Sequence, residues 1–165
     1  MVYKDYLRYR WYMKITILAL TDSDKHFAWP IQEYIKRLGK DVIMQDIKPS
    51  KKDTPQEIIS YDTNQIILYL QERYKDRLKI LLSKDGDALS TENIKDVILT
   101  SQLHSKDIVF VIGWPYGLDE GALERYIDKK LSFGNITMPH WLVKVVTLEQ
   151  IYRSLQILQN KNYHY

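Results

Sequence analysis

Ile15 to Leu20 (ITILAL) is apolar and rich in β-branched residues, and it runs into the turn and cap residues TDSD, a pattern that predicts a buried strand. From Phe27 the apolar positions Ile31, Tyr34, Ile35 and Leu38 recur at spacings of three and four and stop at Gly39, predicting a helix with Pro30 in its first turn. A second strand is expected over Asp41 to Ile47, followed by the basic, proline-punctuated loop PSKKDTP. Thr54 and Pro55 then open a helix to about Arg73. Leu78 to Leu82 reads as a third strand ended by a turn at KDGD, and Thr91 to Leu103 as another helix. Asp107 to Ile112 (DIVFVI) is an almost wholly apolar strand that enters GWPYG and a helix from Asp119 to about Lys129. A fifth strand is expected over Leu131 to Ile136 and a long helix from His140 to about Gln159. Strands alternating with helices imply an α/β fold, a mostly parallel sheet with helices on both faces.

The last helix carries Leu142, Val143, Val145, Val146, Leu148, Ile151, Tyr152, Leu155, Ile157 and Leu158, a band wider than one stripe. One sheet cannot cover it, so a second apolar surface is expected, most simply from a second copy of the chain.

Composition narrows the chemistry. The chain has 165 residues, 45% of them apolar, enough for one domain with a full core. No apolar run reaches the roughly 20 residues of a membrane span, and the N-terminal stretch lacks the pattern of a secretory signal, so neither membrane nor export is expected. With no cysteine and four scattered histidines, thiol chemistry and thiolate metal sites are excluded. A net charge of +3 permits an anionic partner without demanding one.

Four places offer candidate chemistry. Gly113, Pro115 and Gly117 follow the DIVFVI strand, where open parallel sheets place ligand crevices; they also suit an ordinary tight turn. The segment is neither a dinucleotide fingerprint nor a phosphate loop of the Gly-Lys-Ser/Thr type. Gly134 to His140 (GNITMPH) again joins a strand to a helix, and the two turns could share one pocket. The ending NYHY would act only if it folds back. Lys48, Lys51 and Lys52, and Lys4, Arg8 and Arg10 among Tyr3, Tyr6, Tyr9, Trp11 and Tyr12, suit phosphate and base contacts or a solvated surface.

Together, VIGWPYGLDEGAL, LSFGNITMPHWLVKVVTLEQIYRSLQIL and NYHY, preceded by EYIKRLGKDVIMQDIKPSKK and ILLSKDG, resemble the ribosomal RNA large subunit methyltransferase H family. These are small SPOUT-class enzymes that N3-methylate a pseudouridine in 23S rRNA. The resemblance spans Met13 to the end as a single domain; residues 1–12 form an N-terminal extension of unassigned role. It implies a C-terminal trefoil knot, a homodimer, a large-subunit ribosomal RNA or ribosome as substrate, and a cytoplasmic location, or an organellar matrix in a eukaryote. It implies S-adenosylmethionine as cofactor, held by Leu82, Gly113, Trp114, Gly117, Gly134, Asn135, Ile136, Thr137, Met138 and Pro139. It implies catalytic roles for His164, Tyr163 and Arg153, with His164 as proton acceptor and Arg153 holding phosphate or developing negative charge; His140 is a second candidate base. No metal is needed.

The chain departs from the family pattern at informative positions. Trp114 stands where the family has a second glycine and could block the adenosine, stack beside it or swing outward. Tyr116 replaces an acidic residue, Lys144 replaces an arginine, and Tyr165 follows His164 where a basic residue is usual. The alternative these departures allow is an inactive SPOUT-fold protein that binds RNA or ribosomes.

Overall fold

The computed structural model describes residues 13–21, 27–113 and 115–161. Five parallel strands, β1 (Ile15–Leu20), β2 (Val42–Ile47), β3 (Leu78–Ala88), β4 (Ile108–Ile112) and β5 (Lys129–Ser132), form one sheet in the order β2-β1-β4-β3-β5. Between and after them run α1 (Ala28–Leu38), α2 (Pro55–Glu72), α3 (Thr91–Leu103), α4 (Glu120–Leu123) and α5 (His140–Leu158). Among the described residues no helix is long and apolar enough to cross a membrane.

Period-two alternation divides the sheet's side chains between two cores. Ile15, Ile17, Ala19, Ile80, Ile108, Phe110 and Ile112 pack with α1, α3 and α5, while Leu18, Leu20, Leu81, Val109 and Val111 pack with α2 and α4. The inner strands β1 and β4 are buried at every position, which is why ITILAL and IVFVI carry no polar alternation. Local chemistry fixes the helix starts. Thr54 and Glu57 form a reciprocal capping box with Pro55 following the cap, and Ser90 and Asn93 do the same for α3. Pro30 lies in the first turn of α1, and Gly39 closes that helix with φ +71°.

Three segments differ from the sequence expectation. KDGD is not a turn: β3 continues to Ala88, and Leu131 pairs first with Leu82 and again with Asp87, so residues 83–86 bulge past β5. The helix expected over Asp119 to Lys129 ends at Leu123 and continues only as a 3-10 turn to Tyr126. The fifth strand accordingly starts and ends earlier than Leu131 to Ile136. Its charged opening, Lys129 and Lys130, suits a sheet edge, and pairing with β3 outweighs the helical preference of the lysines.

The apolar band of α5 meets more of its own chain than one sheet. The helix lies between α1 and α3, with Leu148 and Ile151 buried in the core and the half-buried Val143, Val145, Leu155 and Leu158 packed against it, whereas the half-buried Leu142, Val146 and Ile157 are not part of that cluster. Lys144 is 0% exposed, with Nζ 2.8 Å from Oδ1 of the half-exposed Asp46 at the end of β2. A lysine on the inner face of this helix is tolerated because it carries its charge to a carboxylate at the sheet's rim.

Candidate cofactor pocket

The candidate residues converge at the C-terminal ends of β4 and β5 and at Leu82 in the middle of β3, the strand between them. Leu82 pairs with Ile112 on one side and Leu131 on the other, which sets Leu82 beside both Gly113 and the chain leaving β5. This is the sheet end at which open parallel folds form ligand crevices.

The two glycine turns present bare backbone. Gly117 has φ +82° and Gly134 φ +109°, values L side chains rarely adopt, and a β-carbon on either would meet nothing within 4 Å. The glycines are therefore required by conformation, and the space beside them is open to a ligand. At Gly113 a β-carbon would lie 3.4 Å from the Leu118 side chain. Asn135, Ile136, Thr137 and Pro139 are exposed and Met138 is half-buried; Ile136, at 62%, is among the most exposed large apolar side chains, and Tyr116 is exposed at 52%.

Ser132 holds the pocket's loops together. Its hydroxyl lies 3.1 Å from the Lys84 carbonyl and 3.2 Å from the Gly134 carbonyl, within reach to donate, and accepts from the Gly134 N–H at 3.1 Å. The Ser132 carbonyl accepts from Leu89 N–H at 2.8 Å. On the other side, Asp119 N–H donates to Thr63 Oγ1 at 2.9 Å while its Oδ1 caps α4 at Ala122 N–H, 3.0 Å away. Sequence reading passed over Ser132 and took Gly86 for a turn residue of KDGD, whereas it lies inside β3, where a glycine marks close backbone approach.

Of the proposed catalytic residues Arg153, Tyr163 and His164, only Arg153 is among the described residues, and it is not brought to this pocket within one chain. Arg153 lies on the far half of α5, 13 residues after His140, roughly 20 Å along the helix. Its guanidinium is paired with Glu149 one turn back, at 2.7 and 2.9 Å. His140 opens α5 with both ring nitrogens shielded from solvent. Trp114, Tyr163, His164 and residues 1–12 lie outside the described residues. Of the basic loop, Lys48, Lys51 and Lys52 are exposed, and Lys52 Nζ sits 5.6 Å from the Tyr61 ring centre.

That loop is tied down by Asp62, 1% exposed, whose Oδ1 accepts from Ser50 N–H at 2.8 Å. Oδ2 and the Ser50 hydroxyl are buried without hydrogen-bond partners among the described residues. Burial pushes the Asp62 carboxyl above the usual carboxylate range, against the opposing effect of the Ser50 N–H bond. A raised native pKa means the folded chain binds this proton more tightly than the unfolded one. The ionised carboxyl therefore costs stability at neutral pH, and the cost vanishes as pH falls through the raised value toward the ordinary ~3.9. Asp62→Asn keeps the acceptor for Ser50, so the variant should be about 1 kcal/mol more stable than the parent near neutral pH. Urea titrations should show the two converging toward about pH 4; an advantage independent of pH would contradict the assignment.

Residues 13–164 match the family model described as predicted SPOUT methyltransferase. The ribosomal RNA large subunit methyltransferase H of Mycoplasma capricolum is 35% identical over 156 residues, covering 92% of this chain and 99% of the relative. The protein of the same name from Limosilactobacillus reuteri is 34% identical over 160 residues with the same coverage. Among solved structures, a candidate RNA methyltransferase from Bacillus anthracis superposes with a TM-score of 0.56 at 16% identity, covering 90% of this chain and 96% of that one. A methylase-family candidate from Neisseria gonorrhoeae gives 0.55 at 12%, covering 88% and 84%. These two show a shared fold. The sequence matches, spanning nearly the whole chain, go further: the protein belongs to the SPOUT methyltransferases, in the ribosomal RNA large subunit methyltransferase H family.

Proposed function

We propose that the chain transfers a methyl group from S-adenosylmethionine to N3 of a pseudouridine in large-subunit ribosomal RNA. The observation that carries the reading is the pair of bare-backbone turns after β4 and β5, on either side of β3, in a chain with the name-bearing relatives above. Its residues fit the cofactor. Gly117 and Gly134 leave room for close backbone approach, and Ile136, Met138 and Leu82 offer apolar surface to an adenine. When bound, S-adenosylmethionine supplies an electrophilic methyl on a sulfonium. The pocket's part is to hold that carbon in line with the attacking N3, since orientation supplies much of the acceleration. N3 must shed its proton as its bond to carbon forms, and His164 is assigned to accept it, with Tyr163 beside it and Arg153 neutralising phosphate or a developing negative oxygen.

Arg153 cannot serve the pocket of its own chain from the far half of α5, so the reading requires a homodimer in which a second copy supplies it. The half-buried Leu142, Val146 and Ile157 are the apolar surface left for that contact. Sedimentation should give a species of twice 19.7 kDa at micromolar concentration; a 19.7 kDa species would contradict it. The family also implies a C-terminal trefoil knot, and the double pairing of Leu131, with residues 83–86 bulging past β5, is compatible with it. A cytoplasmic location follows from the substrate assigned.

One feature favours a second reading, an inactive binding protein. Trp114 and the exposed Tyr116 place two large rings in the turn after β4. Calorimetry separates the two: micromolar binding of S-adenosylmethionine supports the enzyme, and no binding supports the module.

A further inference from the structure

Behind the pocket one carboxylate joins all three of its segments. The Ser83 hydroxyl donates to Glu120 Oε1 at 2.5 Å and accepts from Asp85 N–H at 3.1 Å. Glu120 Oε2 lies 3.2 Å from Lys130 Nζ. Ser83 directly follows Leu82 in β3, Glu120 stands three residues after Gly117 at the start of α4, and Lys130 in β5 lies four residues before Gly134. Leu82 packs toward the core under α3 and α5 and Leu81 toward the core under α2, so by strand alternation Ser83 belongs to the face away from Leu82. The carboxylate thus grips the segments from the rear.

We infer that Glu120 is a positioning residue for cofactor binding: with Ser83 and Lys130 it sets the spacing of the three strand-end segments that receive S-adenosylmethionine. The inference rests on the cofactor reading above and assigns Glu120 no contact with substrate. The geometry favours a positioning role over one in overall stability. The Glu120 and Lys130 side chains are each about a third exposed, at 33% and 32%, and ion pairs so placed contribute little to folding. What the pair can do is select one arrangement of three loops that backbone pairing and Ser132 already bring together. Without it, the cofactor would have to order those loops as it binds, and that cost appears as lost affinity.

The test uses the full chain and S-adenosylmethionine itself, with the dissociation constant from calorimetry, the Michaelis constant and kcat from methyl transfer to ribosomes, and the melting temperature. Glu120→Ala should raise the dissociation and Michaelis constants for S-adenosylmethionine roughly tenfold, with kcat at saturation within about twofold of the parent and the melting temperature nearly unchanged. Glu120→Gln, which still accepts from Ser83 but loses the ion pair, should fall between. Lys130→Met should add little to Glu120→Gln if the two act as a unit. A parent that binds while Glu120→Ala binds equally well overturns the clamp alone. Lowered melting temperature and kcat with unchanged affinity would do the same, by making the cluster merely structural. A parent that does not bind overturns the cofactor reading and this inference with it.

Discussion

Gly86→Ala is expected to destabilise the protein by about 3 kcal/mol, the upper range for forcing an extra carbon into a packed site. A β-carbon at residue 86 would lie 2.6 Å from Leu131 N and 2.7 Å from the carbonyl carbons of Leu131 and Lys130. All three are backbone atoms of β5, so relief cannot come from a side chain swinging away. Either β5 moves out of register with β3 or residues 83–88 lift off it, and both undo the second pairing of Leu131 and the Ser132 bond to the Lys84 carbonyl. Pocket and fold should fail together: urea unfolding should show a lowered midpoint, and S-adenosylmethionine affinity should fall in whatever folded fraction remains. Parental stability in Gly86→Ala would show that the contact of Gly86 with β5 is looser than described.

The same pairing marks where sequence reading stopped being sufficient. The start of α2 at Thr54-Pro55 and the span of α3 follow from capping side chains and short-range apolar spacing, both written locally. KDGD carries equally local turn chemistry, yet its conformation is set by β5, more than forty residues later in the chain. Lys129 reads as the end of a helix and Lys130 falls outside the expected strand for the same reason: only a non-local partner makes them strand. Apolar spacing along α5 did report that the helix is covered widely, but could not separate coverage by α1 and α3 from coverage by a second copy. The glycine turns were legible because positive φ and bare backbone leave their mark in residue type. Ser132 and Glu120 were not, because a serine or glutamate that ties loops together looks like any other until its partners are known.

Truncation after Lys161 should produce the largest functional effect, abolishing methyl transfer while leaving the melting temperature nearly unchanged. Among the described residues neither core cluster extends past Leu158, so removing Asn162 to Tyr165 takes none of the described core away. His164→Ala should lower the rate by roughly 10² to 10⁴ if His164 accepts the N3 proton, with the largest recovery of activity at high pH, where the imide ionises unaided. A tail that only binds phosphate would behave differently. Its loss would raise the Michaelis constant for ribosomes in a salt-dependent way and leave saturated turnover close to normal. Full activity in the truncated protein would remove the tail from both roles.

The central claim, methyl transfer to a pseudouridine N3 of large-subunit ribosomal RNA, is tested most directly by mass spectrometry of that RNA. Ribosomes carrying unmethylated pseudouridine would be incubated with the purified full chain and S-adenosylmethionine. The proposed function predicts one added methyl per large subunit, on a pseudouridine and at its N3, absent when the protein or S-adenosylmethionine is left out. RNA that gains no methyl, or gains it on another nucleoside, would contradict it.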